Sequence, residues 1–245
     1  MRTPRIYLAA SLAPGERIAL PAEIAHKLGK VLRLAEDSPV VLFNGDGRDH
    51  HGRLQWSQGR AFALLEGWED AHSRESPLAV MLLQGLARGE KMDWIVQKCT
   101  ELGVRAILPL ACERSEVRLE GERRDRRIEH WQAVARAACE QSGRAVLPEI
   151  HPPLPLSQLD RVPLPPQRLL LTPEGERLSG LSVDPRASIA LAVGPEGGFS
   201  PAERQWLCAA LGFRPWRLGP RILRTETAGL AALAALQALH GDFDR

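Results

Sequence analysis

Through residue 70 the apolar positions fall in short runs separated by turn residues, without helical spacing. Val40-Val41-Leu42-Phe43 leads straight into Asn44-Gly45-Asp46-Gly47. Asn-Gly after a β-branched run is a hairpin signal, because both residues accept the left-handed backbone of a tight turn. A second strand is expected over 61–65, after Gly59, and the polar stretch 69–77 ends this part, so 1–75 reads as a small, mainly β domain. From Leu78 the texture changes. An apolar run over 78–84 precedes Met92, Ile95, Val96, Cys99 and Leu102 at helical spacing, with Gly103 as the stop. A strand over 104–110 follows, then a helix with Ile128, Trp131, Val134, Ala135 and Ala138 on one face. Strands are expected at 169–172, 188–193 and near 216–218, and helices at 201–211 and 226–240. Such alternation predicts a parallel sheet covered by helices, so 76–245 reads as an α/β domain. Six prolines between 151 and 167 predict an extended surface connection.

Composition narrows the picture only slightly. The 245 residues are 44% apolar and 25% charged, which suits a buried core and excludes disorder, collagen and a disulfide scaffold. A formal charge of +2 gives no global argument for nucleic acid, so any basic surface must arise by local segregation. The cysteines Cys99, Cys112, Cys139 and Cys208 form no C-x-x-C pair, and reduced core thiols are expected. Asp46, Asp49, His50 and His51 resemble a ligand set, but they flank a hairpin tip where polar residues belong, and no metal is expected. No run approaches the length of a membrane span and 1–17 lacks a signal-type apolar core, so a cytoplasmic protein without membrane contact is expected.

Candidate chemistry concentrates at two strand-loop-helix junctions, Gly194-Pro195-Glu196-Gly197-Gly198-Phe199 and 218–228. Open α/β sheets bind ligands at such strand ends. Ser200-Pro201-Ala202-Glu203 spells a capping box with proline at the first helical position, which fixes the helix start and frees the preceding glycines to approach a ligand. The first loop has no phosphate-binding lysine and places Glu196 where a polyphosphate would meet an uncompensated carboxylate. Its spacing is not G-x-G-x-x-G, and no acid lies between Arg204 and Thr225 to hold a ribose. The expected ligand is a nucleoside without phosphates. Arg214, Arg217, Arg221 and Arg224 precede the next acid, Glu226, an excess suited to phosphate oxygens of a polynucleotide.

These loops, 194–200 with 218–228, resemble the paired signature of the RsmE family, SPOUT-class enzymes that methylate N3 of a uridine in small-subunit ribosomal RNA. Residues 91–104 are similar to that family's lysine-rich helix and its Glu-Leu-Gly-Val turn, Glu113-Arg114-Ser115 to a further step, and Glu140-Gln141-Ser142-Gly143-Arg144 to a helix end. Residues 26–33 and 44–47 resemble its PUA-like barrel, so the likeness spans nearly the whole chain. The resemblance implies a PUA-like RNA-binding β-barrel over 1–75 and a SPOUT α/β domain over 76–245 with a C-terminal trefoil knot. It implies S-adenosylmethionine as cofactor, held by Leu171, Thr172, Gly194, Pro195, Glu196, Gly197, Gly198, Leu218, Gly219, Ile222, Leu223 and Arg224. The substrate it implies is 16S ribosomal RNA within the small subunit, contacted by Arg5, His26, Arg33, Lys98, Arg114 and Arg144. Uridine N3 carries a proton, so Arg224 and Glu226 are the candidates for removing it or stabilising the anion. The helix from 228 to 239 is apolar nearly all round and must be buried on several sides, which the family's homodimer would supply. Two alternatives remain, a SPOUT enzyme with another RNA target and a non-catalytic RNA-binding assembly factor.

Overall fold

The Asn-Gly step does reverse the chain. In the computed structural model, which describes residues 3–177, 180 and 182–244, β3 (Pro39–Phe43) and β4 (Arg48–Ser57) pair antiparallel across it, with Leu42 opposite His50. The chain divides into two compact units, one of Met1–Glu75 with Cys139–Leu147, the other of Ser76–Ala138 with Pro148–Arg245.

In the first unit, β1 (Arg5–Tyr7), β2 (Arg17–Ala19) and β5 (Arg60–Asp70) join β3 and β4 in a five-stranded sheet of order β1-β3-β4-β5-β2. The path is open: among the described residues the end strands β1 and β2 are not hydrogen-bonded to each other. A short helix, α1 (Ala22–His26), and a π-turn over Lys27–Val31 connect β2 to β3. Ile6, Leu28, Leu42, Leu54 and Leu65 form the core. The pairing of β4 with β5 slips after His51, and a Cβ on Gly52 would lie 2.6 Å from the Leu64 carbonyl oxygen, so the bulge requires glycine there.

Charge is buried beside this core. Asp49, 2% exposed, accepts from Arg5 at 2.6 Å and from Arg74 at 2.6 Å. Arg5 also donates to the carbonyls of Cys139 (2.8 Å) and Arg144 (3.2 Å) and stacks over Phe43. Arg144 pairs with Glu75 at 2.8 Å, and the same carboxylate accepts from the Ala145 and Val146 amides. Arg5 and Arg144, expected on RNA, have side chains 6% exposed and pair with internal acids: Arg5 makes four hydrogen bonds, and Arg144 reaches Glu75 through both Nε and Nη2. Asp49 belongs to this network, His50 lies 3.3 Å from Asp46, and His51 lies 3.6 Å from Glu69.

In the second unit a seven-stranded sheet contains β6 (Val80–Gly85), β7 (Ala106–Ala111), β8 (Glu149–Ile150), β9 (Leu154–Pro155), β10 (Gln167–Arg177), β11 (Ile189–Val193) and β12 (Arg214–Arg217). The order is β12-β10-β11-β6-β7-β8, with β9 beside β7, and every pairing is parallel. All five residues of β11 are buried, as a strand covered on both faces demands. Alternate residues serve two layers. Leu191 and Val193 join Met92 and Ile95 of α2 (Lys91–Glu101), Trp131 of α3 (Gly121–Ser142) and Leu233 of α5 (Thr225–His240). Ala190 and Ala192 join Leu207 of α4 (Pro201–Ala209).

The proline-rich stretch departs from expectation. Leu156–Arg161 forms a 3-10 helix that buries Leu156 and Leu159 in the second layer. Its three-residue repeat puts both leucines on one side, and Pro155 at its N-cap needs no donor. Cys99, Cys112 and Cys139 are buried, and burial pushes their thiols up to about 12; Cys208 is half-buried. Among the described residues, no helix is long and apolar enough to cross a membrane.

Burial works against ionisation of Asp49, but the hydrogen bonds and charges of Arg5 and Arg74 outweigh it and hold its carboxyl below the usual range. A lowered folded-state value favours folding above the unfolded-chain value of about 3.9, and this contribution disappears as pH falls through the folded-state value. Asp49→Ala should cost about 3–5 kcal/mol in urea denaturation at neutral pH, because Arg5 keeps its burial and loses its counter-charge. Asp49→Asn should flatten the acid limb of the stability profile. A stability loss below about 1 kcal/mol would show that the pair is not structural.

Candidate active site

The C-terminal ends of β10, β11 and β12 border a cleft of about 630 Å³. It is lined by residues 171–174 of β10, by 193–199, by 217–219 and 221–225 with Ala228, and by Lys91, Arg114 and Arg204. The register of β10 against β12 shifts between Leu171 and Glu176, and a Cβ on Gly175 would lie 2.4 Å from the Trp216 amide nitrogen. This irregularity leaves 171–174 free to form one wall.

The glycine loop is held by its own geometry. A Cβ on Gly194 would lie 2.9 Å from the Phe199 nitrogen, and Gly198 sits at φ +65°, where a side chain is strained. A Cβ on Gly85 would lie 2.4 Å from the Pro195 nitrogen, so the loop crosses the end of β6 in direct backbone contact. The expected capping box forms: the Glu203 amide donates to the Ser200 hydroxyl, and the Ser200 amide donates to the Glu203 carboxylate at 2.8 Å. The other oxygen of Glu203 accepts from the Glu113 amide at 2.7 Å, which brings Arg114 to donate to the Gly197 carbonyl at 3.1 Å. A Cβ on Gly197 would lie 3.0 Å from Cβ of Arg114, so glycine here makes room for Arg114.

The second loop ends in a fastening. The Thr225 hydroxyl donates to the Gly194 carbonyl at 2.6 Å and accepts from the Gln84 amide at 2.9 Å. Gln84 and Thr225 are both buried. Three segments, the end of β6, the glycine loop and the start of α5, are thereby fixed to one another. Arg224 occupies the N-cap position, its carbonyl accepting from the Thr227 and Ala228 amides, while its exposed guanidinium has no side-chain partner among the described residues.

Electrostatics correct one premise. Glu196 is not uncompensated: it accepts from Lys91 at 2.9 Å and from the Arg88 amide at 3.0 Å. Burial pushes its carboxyl up, and these hydrogen bonds outweigh burial and hold it below the ordinary range. Across the cleft Glu174 is held down by the Thr172 hydroxyl, its own backbone amide and Arg204 at 3.0 Å.

Leu171, Thr172, Gly194, Pro195, Glu196, Gly197, Gly198, Leu218, Gly219, Ile222, Leu223 and Arg224 all line the cleft, with Ile222 86% exposed. Glu226 does not. Its Oε2 is enclosed without a hydrogen-bond partner among the described residues, 3.6 Å from Lys91 Nζ. Of the residues expected on RNA, Arg114 lines the cleft, and Lys98 pairs with Glu101 beside the Trp94 ring. His26 and Arg33 are exposed in the first unit, Arg33 at φ +53°. Lys91, Arg204 and the Gln84–Thr225 pair went unrecognised in the sequence. Only Lys91 carried a signal, its place at a helix start just after the end of β6.

The RNA methyltransferase domain family matches residues 74–237. A ribosomal RNA small subunit methyltransferase E from Buchnera aphidicola is 30% identical over 99% of this chain and 96% of its own, and one from Bacillus subtilis is 32% identical over 91% and 92%. A ribosomal RNA small subunit methyltransferase E from Neisseria gonorrhoeae, solved bound to S-adenosylmethionine, superposes with a TM-score of 0.88 at 38% identity over 99% of this chain and 100% of that one. A Legionella pneumophila structure holding the same cofactor superposes at 0.93 with 37% identity over the same shares.

Thr225→Val removes both side-chain bonds of the fastening and leaves the Gly194 carbonyl and the Gln84 amide short of partners. The expected loss is about 1–3 kcal/mol in chemical denaturation, with faster hydrogen exchange over 194–199. Unchanged exchange there would mean the loop is held by its glycines alone.

Proposed function

The chain belongs to the ribosomal RNA small subunit methyltransferase E family, and we propose that it methylates small-subunit ribosomal RNA, at N3 of a uridine in 16S RNA, with S-adenosylmethionine as methyl donor. The observation that carries this reading is the cleft itself: two loops fastened through Thr225, apolar walls from Leu171, Leu218 and Leu223, and both acid and base at its rim. Those residues fit the cofactor. Backbone groups of 194–198 and 218–223 suit the edge of an adenine, Glu174 and Glu196 suit ribose hydroxyls or an amine, and the cations suit a carboxylate. Bound there, the sulfonium supplies an activated methyl group.

The chain's own groups then have two tasks. One is alignment, which by itself is worth several orders of magnitude. The other is to stabilise the anion left when N3 gives up its proton, and Arg224, exposed on the cleft and without an acid partner among the described residues, is the group we assign to it. Arg114, Arg217 and Arg221 on the same cleft suit phosphates of the target strand, and His26, Arg33 and Lys98 suit more distant RNA.

The reading extends to a PUA-like barrel over 1–75, a SPOUT domain over 76–245, a C-terminal trefoil knot, a homodimer and a cytoplasmic location. Supporting the knot, β12 lies at the sheet's edge whereas α5 packs on α2, β6 and β11, so the chain must return inward past the glycine loop. Supporting the dimer, α5 exposes Leu239, and Phe243 beyond it is exposed as well.

Mass spectrometry of ribosomal RNA from a deletion strain should show the loss of one 3-methyluridine in the small subunit. Persistence of the nucleoside would overturn the assignment. Arg224→Ala should lower turnover by about 10²-fold with little change in cofactor affinity by calorimetry; a loss of affinity alone would move Arg224 from the substrate to the cofactor.

A further inference from the structure

Removing a proton from N3 leaves charge spread over both carbonyl oxygens that flank it, O2 and O4. Arg224 accounts for one donor. Glu226, the sequence's candidate for the proton, does not line the cleft, and its enclosed Oε2 faces Lys91. Lys91 does line the cleft, and its side chain is about one-third exposed. Its ammonium has three N–H donors. One bonds to Glu196 at 2.9 Å and a second is drawn toward Glu226 at 3.6 Å. Two acids, one in the glycine loop and one in the first turn of α5, thus hold the nitrogen at two points, leaving one N–H without a partner among the described residues at the cleft surface. The other charged groups near it are Arg88, whose Nε lies 4.0 Å from Glu196, and Arg114 and Arg224 on the cleft wall.

We propose that Lys91 is a catalytic residue, its third N–H donating to a uracil carbonyl oxygen as N3 loses its proton, with Glu196 and Glu226 as the positioning residues that aim it. The inference rests on the uridine-N3 reading above. The step balances: the N3 proton passes to water, N3 forms its bond to the methyl carbon with the electron pair left behind, and the carbon–sulfur bond breaks with its electrons going to sulfur. A donor aimed at the place where charge develops, in a preorganised site, stabilises the anion more than the neutral base.

The test measures acidity without methyl transfer. A small-subunit RNA fragment carrying 5-fluorouridine at the methylated position is bound to the protein without cofactor, and its N3 titration is followed by fluorine NMR. With wild type the bound base should titrate about one pH unit lower than with Lys91→Met, a tenfold difference in anion population. Lys91→Arg, which keeps charge and donors, should recover the lower titration. Calorimetry with S-adenosylmethionine on wild type and Lys91→Met separates this role from a role in holding the glycine loop through Glu196. An identical titration for wild type and Lys91→Met overturns the proposal, and so does lost cofactor affinity with no difference in titration, since Lys91 then only fastens the loop. If wild type with cofactor makes no 3-methyluridine, the reading of the reaction fails; normal product with no difference in titration removes only the role of Lys91.

Discussion

A single buried hydroxyl organises the cleft. Thr225 stands where α5 begins, its hydroxyl donating a hydrogen bond to the Gly194 carbonyl and accepting one from the side-chain amide of Gln84 near the end of β6. A glycine-rich loop has the most backbone freedom to lose on ordering, so a loop that must present its amides to a ligand needs anchors at both ends. The Ser200 capping box supplies one and Thr225 the other. Ligand binding in the cleft depends on the loop being rigid between them.

Charge is used twice, in opposite senses. In the first unit Arg5, Asp49, Arg74, Glu75 and Arg144 are turned inward and neutralise one another, so their worth lies in fixing the segment Cys139–Leu147 on the sheet. At the cleft the pairing is incomplete. Lys91 balances Glu196 and stands near Glu226, Arg204 balances Glu174, and Arg224 has no acid partner among the described residues. Cations left partly unpaired at a strand-end cleft are what an anionic substrate or a developing negative charge requires.

The two layers of the second unit follow from the alternation along β11 and its neighbours. Leu191 and Val193 point one way, Ala190 and Ala192 the other. The larger residues meet α2 and α5, and the smaller ones leave room for α4 and for Leu156 and Leu159 of the proline-rich stretch. That stretch lies inside the packing because a 3-10 turn tolerates proline at its start while presenting leucines three apart.

Much of this was legible in the chain. The turn after Phe43, the helices at Lys91–Glu101 and Pro201–Ala209, and the parallel strands were written in period, capping and turn chemistry, which are local properties. The glycine loops too could be located, because strand-loop-helix junctions have a local signature. Residue type, however, does not say which way a charge faces. Arg5 and Arg144 looked like RNA contacts and have side chains paired with internal acids, Glu226 looked like a group for the N3 proton and has one oxygen enclosed, and Glu196 looked unpaired until Lys91, 105 positions away, was brought to it. Pairing between distant charges is decided by packing, since hydrogen bonds reach about 3 Å and the sequence fixes only separations along the chain.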